Sequence, residues 1–272
     1  MSELRNKRRS LLTVAGAFVL LFVVGSALAE SGARLEAAPA HRRDVESLQR
    51  GARNFVNYCL NCHSAQYMRY NRLTDLGLTE KQIRDNLMFG TDKIGSTMTS
   101  AMSRADAAGW FGAAPPDLSV EARVRGTDWL YSYLNAFYRD DASPTGWNNL
   151  VYKNVSMPHV LWNLSGANKL VETEYEDSER AEGAVIAAKA LALAERSADG
   201  KYIVKTLAVD TPGSMTPVEY KAFVADLVNF LDYVSEPSRN DRVNIGTAVL
   251  IFLGVLFALI YALKRMYWKD IH

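Results

Sequence analysis

Hydrophobic and polar positions divide the chain into a soluble stretch held between two apolar runs. Residues 11–29 are almost uniformly apolar and follow Arg5, Lys7, Arg8 and Arg9. They end in Ala27-Leu28-Ala29 and then Glu30. A basic head, an apolar middle and a small-residue exit predict a secretory signal peptide over 1–29, cleaved or retained as an N-terminal helix. Residues 243–263 carry no charged side chain. As a helix rising about 1.5 Å per residue they would cover about 30 Å, the thickness of a bilayer core, so they predict one transmembrane helix. Lys264, Arg265 and Lys269 follow, with Tyr261, Tyr267 and Trp268 as interfacial anchors. The positive-inside rule then makes residues 264–272 a cytoplasmic tail and, with the export signal, puts residues 30–238 on the other side.

Between these runs the pattern predicts helices joined by loops. Residues 30–50 are polar and basic and read as surface chain. Residues 51–75 read as a helix with Phe55, Tyr58 and Cys59 on one face and Cys62 a turn further on. Residues 79–89 read as a second, with Thr79 as its cap and Ile83, Leu87 and Met88 as its stripe. Residues 90–119 are rich in glycine and proline and predict loop. Residues 127–139 read as a helix with Trp129, Leu130, Tyr133, Leu134 and Phe137 inward, followed by a loop over 143–149. Residues 168–206 read as a charged surface insertion with a short helix or hairpin. Thr216-Pro217-Val218-Glu219 is a capping box with proline at the first helical position. Val224, Leu227, Val228, Leu231 and Val234 continue that helix to Pro237. With no run of alternating strands, the expected fold is all-α.

Composition narrows the function. The formal net charge is +1 and no basic stripe is interleaved with aromatics, so nucleic acid is excluded as a partner. Both cysteines of the chain fall in Cys59-Leu60-Asn61-Cys62-His63. A disulfide is compatible with export, a thioredoxin-like pair lacks its βαβ context, and a zinc site lacks a fourth ligand, because His41, His159 and His272 are scattered. None of these explains the adjacent histidine. Covalent attachment of one haem c explains all three residues: two thiols one turn apart add to two vinyl groups, and His63 meets the iron.

The sixth iron ligand separates an electron carrier from an open site for oxygen or peroxide chemistry. Met157, in Asn154-Val155-Ser156-Met157-Pro158-His159, is one candidate and His159 its rival. Met98 and Met102 remain open, Met68 lies too near the attachment motif, and Met215 begins a helix.

From about 45 to 270 the chain resembles the cytochrome c1 family, the haem subunit of ubiquinol–cytochrome c reductase. The resemblance rests on the haem motif followed by Ser64-Ala65-Gln66-Tyr67-Met68, on the run from Pro115-Pro116-Asp117-Leu118-Ser119 to Gly126, and on Val155-Ser156-Met157-Pro158. The helix ending in Glu236-Pro237 and the basic, aromatic C-terminal anchor complete the order. The resemblance implies a c-type cytochrome domain over 30–238, with His63 and Met157 as metal ligands. It implies Arg125, or else Arg123, near the haem propionates, and Pro115 and Pro116 as walls of the crevice. It places Trp129 near the haem. The implied partners are cytochrome b, the Rieske iron–sulfur protein and a soluble or tethered c-type cytochrome, in a dimeric complex. The implied location is a bacterial inner membrane, with the haem domain in the periplasm. The chain itself then carries electrons and makes no substrate bond. A mono-haem cytochrome of another respiratory complex, or an open-site haem sensor or peroxidase, are the competing functions. Residues 172–182 carry six acidic side chains. They read either as a surface steering a basic cytochrome or as a solvated charged loop.

Overall fold

A computed structural model describes residues 33–39, 41, 43–188 and 191–269. The expected signal peptide and His272 lie outside the described residues. In chain order the helices are α1 (Val45–Tyr58), α2 (Glu80–Leu87), α3 (Arg104–Phe111), α4 (Glu121–Arg125), α5 (Thr127–Asn135), α6 (Trp162–Ser165), α7 (Ser178–Ala187), α8 (Pro217–Ser235) and α9 (Arg239–Tyr267). A 3-10 helix spans Tyr70–Leu76. The strands are β1 (Ala65–Arg69), β2 (Thr97–Met98), β3 (Phe137–Arg139), β4 (Trp147–Asn149), β5 (Gly166–Tyr175), β6 (Ala192–Arg196) and β7 (Tyr202–Pro212).

The core forms where α1 crosses α8. Leu48, Ala52 and Phe55 meet Val224, Leu227, Phe230 and Leu231, all nearly or fully buried, because both helices carry apolar residues at helical spacing. The Phe55 and Phe230 rings lie 5.7 Å apart. At the crossing stands Gly51, where a Cβ would meet Asp226 O at 2.1 Å. Arg50 Nε beside it donates to Asp226 Oδ2 at 2.6 Å. Three of the helices, α1, α2 and α8, start on a clear local signal. Asp44 accepts from Ser47 N–H, and Thr79 and Thr216 form reciprocal capping boxes with Gln82 and Glu219.

The helix expected over 51–75 ends at Tyr58 and is replaced by β1 and the 3-10 helix. Distant partners take over its backbone groups. Ala65 pairs with Met98 across β1 and β2, Tyr70 N–H donates to Ser96 O at 3.1 Å, and Asn71 N–H to Ile94 O at 2.9 Å. Likewise Phe137, expected to close the helix over 127–139, is buried on β3, beyond the end of α5.

The all-α expectation is corrected in the same way. Residues 166–212 hold a three-stranded antiparallel sheet in the order β5-β7-β6, with α7 between β5 and β6 in sequence. Pairing runs from Gly166 opposite Pro212 to Tyr175 opposite Tyr202. Ile203, Val204, Thr206, Val209 and Thr211 on β7 are β-branched and favour extended backbone. The acidic run begins on β5. Lys201 Nζ lies 3.6 Å from Glu174 and 3.2 Å from Glu176, Lys205 Nζ lies 3.7 Å from Glu172, and Arg180 lies 3.5 Å from Asp177. Four of the run's six carboxylates thus lie within 3.7 Å of a cation, with Lys201 shared by two of them and Lys205 shared with Glu195.

Residues 33–39 lie along the domain surface. Arg34 N–H donates to Ala192 O, Glu36 N–H to Ser132 Oγ at 2.7 Å, and Lys221 Nζ reaches Glu36 at 2.7 Å. The C-terminal helix α9 begins earlier and ends later than the apolar run alone predicts. The most apolar window of its segment Asp241–Tyr267 has a mean hydropathy of 2.5 and is exposed throughout.

Candidate functional site

The haem motif sits on the turn that leaves α1. Cys59 N–H donates to Phe55 O at 2.9 Å, and both Cys62 N–H (3.0 Å) and His63 N–H (2.8 Å) donate to Cys59 O. This winding brings Cys59, Cys62 and His63 to one cavity of about 340 Å³. Both cysteines are free thiols. Burial, and Cys62 nearby, push the Cys59 thiol up to about 12. Burial also lowers His63, opposed by its bond to Pro116 O and by Glu121 and Asp117.

One hydrogen bond fixes the imidazole. His63 Nδ1 lies 2.8 Å from Pro116 O. A carbonyl can only accept, so Nδ1 carries the proton and Nε2 keeps its lone pair for a metal. Proline has a fixed φ, which holds that carbonyl in place. Asp117 and Ser119 then sew the proline segment to the haem motif. Gln66 N–H donates to Asp117 Oδ2 at 3.0 Å, Tyr67 N–H to Ser119 Oγ at 3.0 Å, and Leu118 N–H to Ser64 O at 2.8 Å.

The opposite wall comes from the loop after β4. Met157 lines the cavity, and two buried asparagines shape its approach. Asn149 Oδ1 accepts from Val151 N–H at 2.9 Å and Tyr152 N–H at 3.1 Å, while its Nδ2 donates to Tyr133 O at 2.8 Å. Asn148 Oδ1 accepts from Asn154 N–H at 2.9 Å. Asn154 takes the left-handed conformation, φ 59°, which asparagine tolerates best among residues with a Cβ. Sequence reasoning passed over both Asn148 and Asn149, and their only signal was an asparagine pair at the end of a loop.

Pro115, Pro116, Arg125 and Trp129 line the same cavity. Arg125 Nε donates to Glu121 Oε1 at 2.7 Å, and its guanidinium stands 4.5 Å from the Trp129 ring centre and 5.7 Å from that of Tyr152. Arg123 turns away, 3.8 Å from Glu236. His159 also turns away. It stacks on Phe137 with ring centres 4.7 Å apart, and its Nε2 lies 2.8 Å from Ser165 Oγ. Burial lowers its pKa to about 3, so it packs as a neutral ring. Met68 and Met98 are fully enclosed in the core, and Met102 lines a separate pocket of about 40 Å³ beside Cys62. Met215 packs against the core from outside. Among the described residues no three His, Cys, Asp or Glu side chains gather as a metal cluster. The donors at the cavity instead suit a metal carried by a macrocycle: two thiols, one imidazole nitrogen and one thioether, in mostly apolar walls.

Residues 36–271 match the family model described as the cytochrome C1 family. The chain belongs to this family. It is similar to a cytochrome c1 of Allochromatium vinosum, 43% identical over 261 residues that cover 95% of this chain and 98% of that protein. It is also 45% identical over 239 residues to a Nitrosomonas europaea protein named ammonia monooxygenase gamma subunit, covering 88% of this chain and 89% of the other. The mitochondrial cytochrome c1 heme protein of Neurospora crassa is 25% identical over 246 residues, covering 83% and 62%. As a cytochrome c1, the chain is the electron-transfer haem subunit of the bc1 complex, a membrane-anchored member whose partners are cytochrome b and the Rieske protein.

Proposed function

We propose that one haem c is tethered by Cys59 and Cys62 and ligated by His63 and Met157. In this reading residues 30–238 form the haem domain in the periplasm of a bacterial inner membrane. A segment over 243–263 crosses the bilayer and 264–272 ends in the cytoplasm. Electrons received from the Rieske protein leave for a soluble or tethered c-type cytochrome, in a dimeric complex. The observation that carries the reading is the His63 Nδ1 bond to Pro116 O, which leaves Nε2 free on the cavity that Met157 also lines.

Haem c would supply one-electron exchange between ferric and ferrous iron. Cys59 and Cys62 would hold the group through thioether links to its two vinyl substituents. Pro115 and Pro116 hold the proximal wall rigid and so keep the imidazole aligned. Apolar walls exclude water and, with a methionine ligand, favour a high potential. Arg125 offsets propionate charge at the crevice. Arg125→Gln should therefore lower the midpoint potential by an amount on the order of 59 mV, tenfold in the reduction equilibrium. Arg123→Gln should leave it unchanged. Potentiometric titration of both variants checks the assignment, and equal shifts would overturn it.

A reduced-minus-oxidised spectrum of the protein purified gently from its native membrane tests the function. Two b-type haems per c-type haem, all reducible by quinol, are expected. A lone c-type signal would instead favour a separate anchored cytochrome. Haem that stays with the denatured polypeptide would support the thioether links.

A further inference from the structure

Tyr133 lies on α5 in the wall of the cavity, and the proposed function gives it no part. Its ring is held on two sides. It stacks on Trp129 with centres 5.0 Å apart and planes 9° from parallel, and it meets Phe137 edge-on at 5.1 Å. Its backbone carbonyl accepts from Asn149, the residue that pins the methionine loop. The hydroxyl donates to Met157 Sδ at 3.4 Å. Phenol and sulfur thus approach each other from two segments that the Asn149 bond ties together.

We infer that Tyr133 is a positioning residue for the methionine ligand, aiming and electronically tuning its sulfur through the O–H···S bond. The inference rests on the proposed ligation by Met157. A thioether sulfur has two lone pairs, so it can accept from a phenol and bind iron at once. Methionine has three rotatable bonds and fills apolar space in many rotamers. A donor held by aromatic packing selects the rotamer that turns the second lone pair into the cavity. The same bond draws electron density from sulfur. Ferric iron depends on that density more than ferrous iron does, so the bond favours the reduced form.

Tyr133→Phe keeps the ring and its stacking and removes only the donor. In the holo-complex it should lower the equilibrium constant for haem reduction about threefold to tenfold, the net worth of one buried hydrogen bond. The sulfur-to-ferric-iron absorption band should shift or weaken in parallel. Tyr152→Phe, at another of the tyrosines that line the cavity, should move neither quantity. If Tyr133→Phe fails to load haem, 3-fluorotyrosine placed at 133 keeps every heavy atom and strengthens the donor. It should raise the reduction equilibrium. An unchanged potential in the loaded phenylalanine variant, or with fluorotyrosine, overturns the inference while leaving Met157 as ligand. Absence of the sulfur band from the unsubstituted protein overturns the ligation itself, and the inference with it.

Discussion

Met157→Leu should give a protein that still binds haem covalently but is no longer reduced by quinol. Cys59, Cys62 and His63 are untouched, so attachment survives. Leucine matches the volume of methionine without its sulfur, and the cavity wall keeps its shape. The iron loses a strong ligand that favours the ferrous state. Axial ligation sets haem potentials over a range of about 0.8 V, so the midpoint should fall by an amount on the order of 0.2 V. The vacated position should bind carbon monoxide when the protein is reduced. His159→Gln is the control, because that ring faces Phe137 and Ser165. It should cost some stability and leave the potential in place. Normal quinol reduction in Met157→Leu would sink the ligand assignment.

Gly51→Val should damage the fold severely. A Cβ at 51 would stand 2.1 Å from Asp226 O and 2.6 Å from Phe230 Cβ. The first of these is backbone, so no rotamer change relieves it, and α1 and α8 must part. Overpacking typically costs about 1–3 kcal/mol, and a backbone clash belongs at or above the upper end. About 3 kcal/mol would lower the melting temperature by roughly 6–12 °C for a domain of this size. Because α1 leads directly into Cys59, the strain also displaces the attachment turn. Haem-stained protein in the membrane should fall together with the melting temperature. A variant that melts with the unsubstituted protein would show that the crossing is looser than this geometry.

Features written in a few adjacent residues were legible in advance. The haem motif, the capping boxes at Thr79 and Thr216, and the uncharged run inside α9 each carry their signal within one or two turns. The sheet was legible only in part, because β6 and β7 form a hairpin around Asp199-Gly200, whereas β5 and β7 pair across α7 and β6 with no tight turn between them. Glutamates and lysines on its faces also made 168–206 read as a charged surface insertion with no more than a short helix or hairpin, although Lys205 lies 2.5 Å from Glu195 across the strands. At the site, residue types were legible but approach was not. Arg123 and Arg125 belong to the same short helix and point to different partners. Gly126, at φ 88°, ends that helix and lets α5 start in a new direction, which sequence spacing cannot convey. The contact of Tyr133 with Met157 and the loop bonds of Asn148 and Asn149 likewise exist only once β3 and β4 have brought their flanking segments together.

Glu236 ends α8, and its carboxylate takes Arg242 of α9 at 2.7 Å and Arg123 of α4 at 3.8 Å. The apolar C-terminal helix and the short helix that carries Arg125 therefore share one counter-charge. The carboxylate is 14% exposed, while the two arginines are 57% and 65% exposed. Opposite charges at a water-facing joint hold direction without interlocking surfaces, and their grip weakens as ions screen them. The join between the domain and its C-terminal helix is thus held in part by ion pairs whose strength should fall as salt rises.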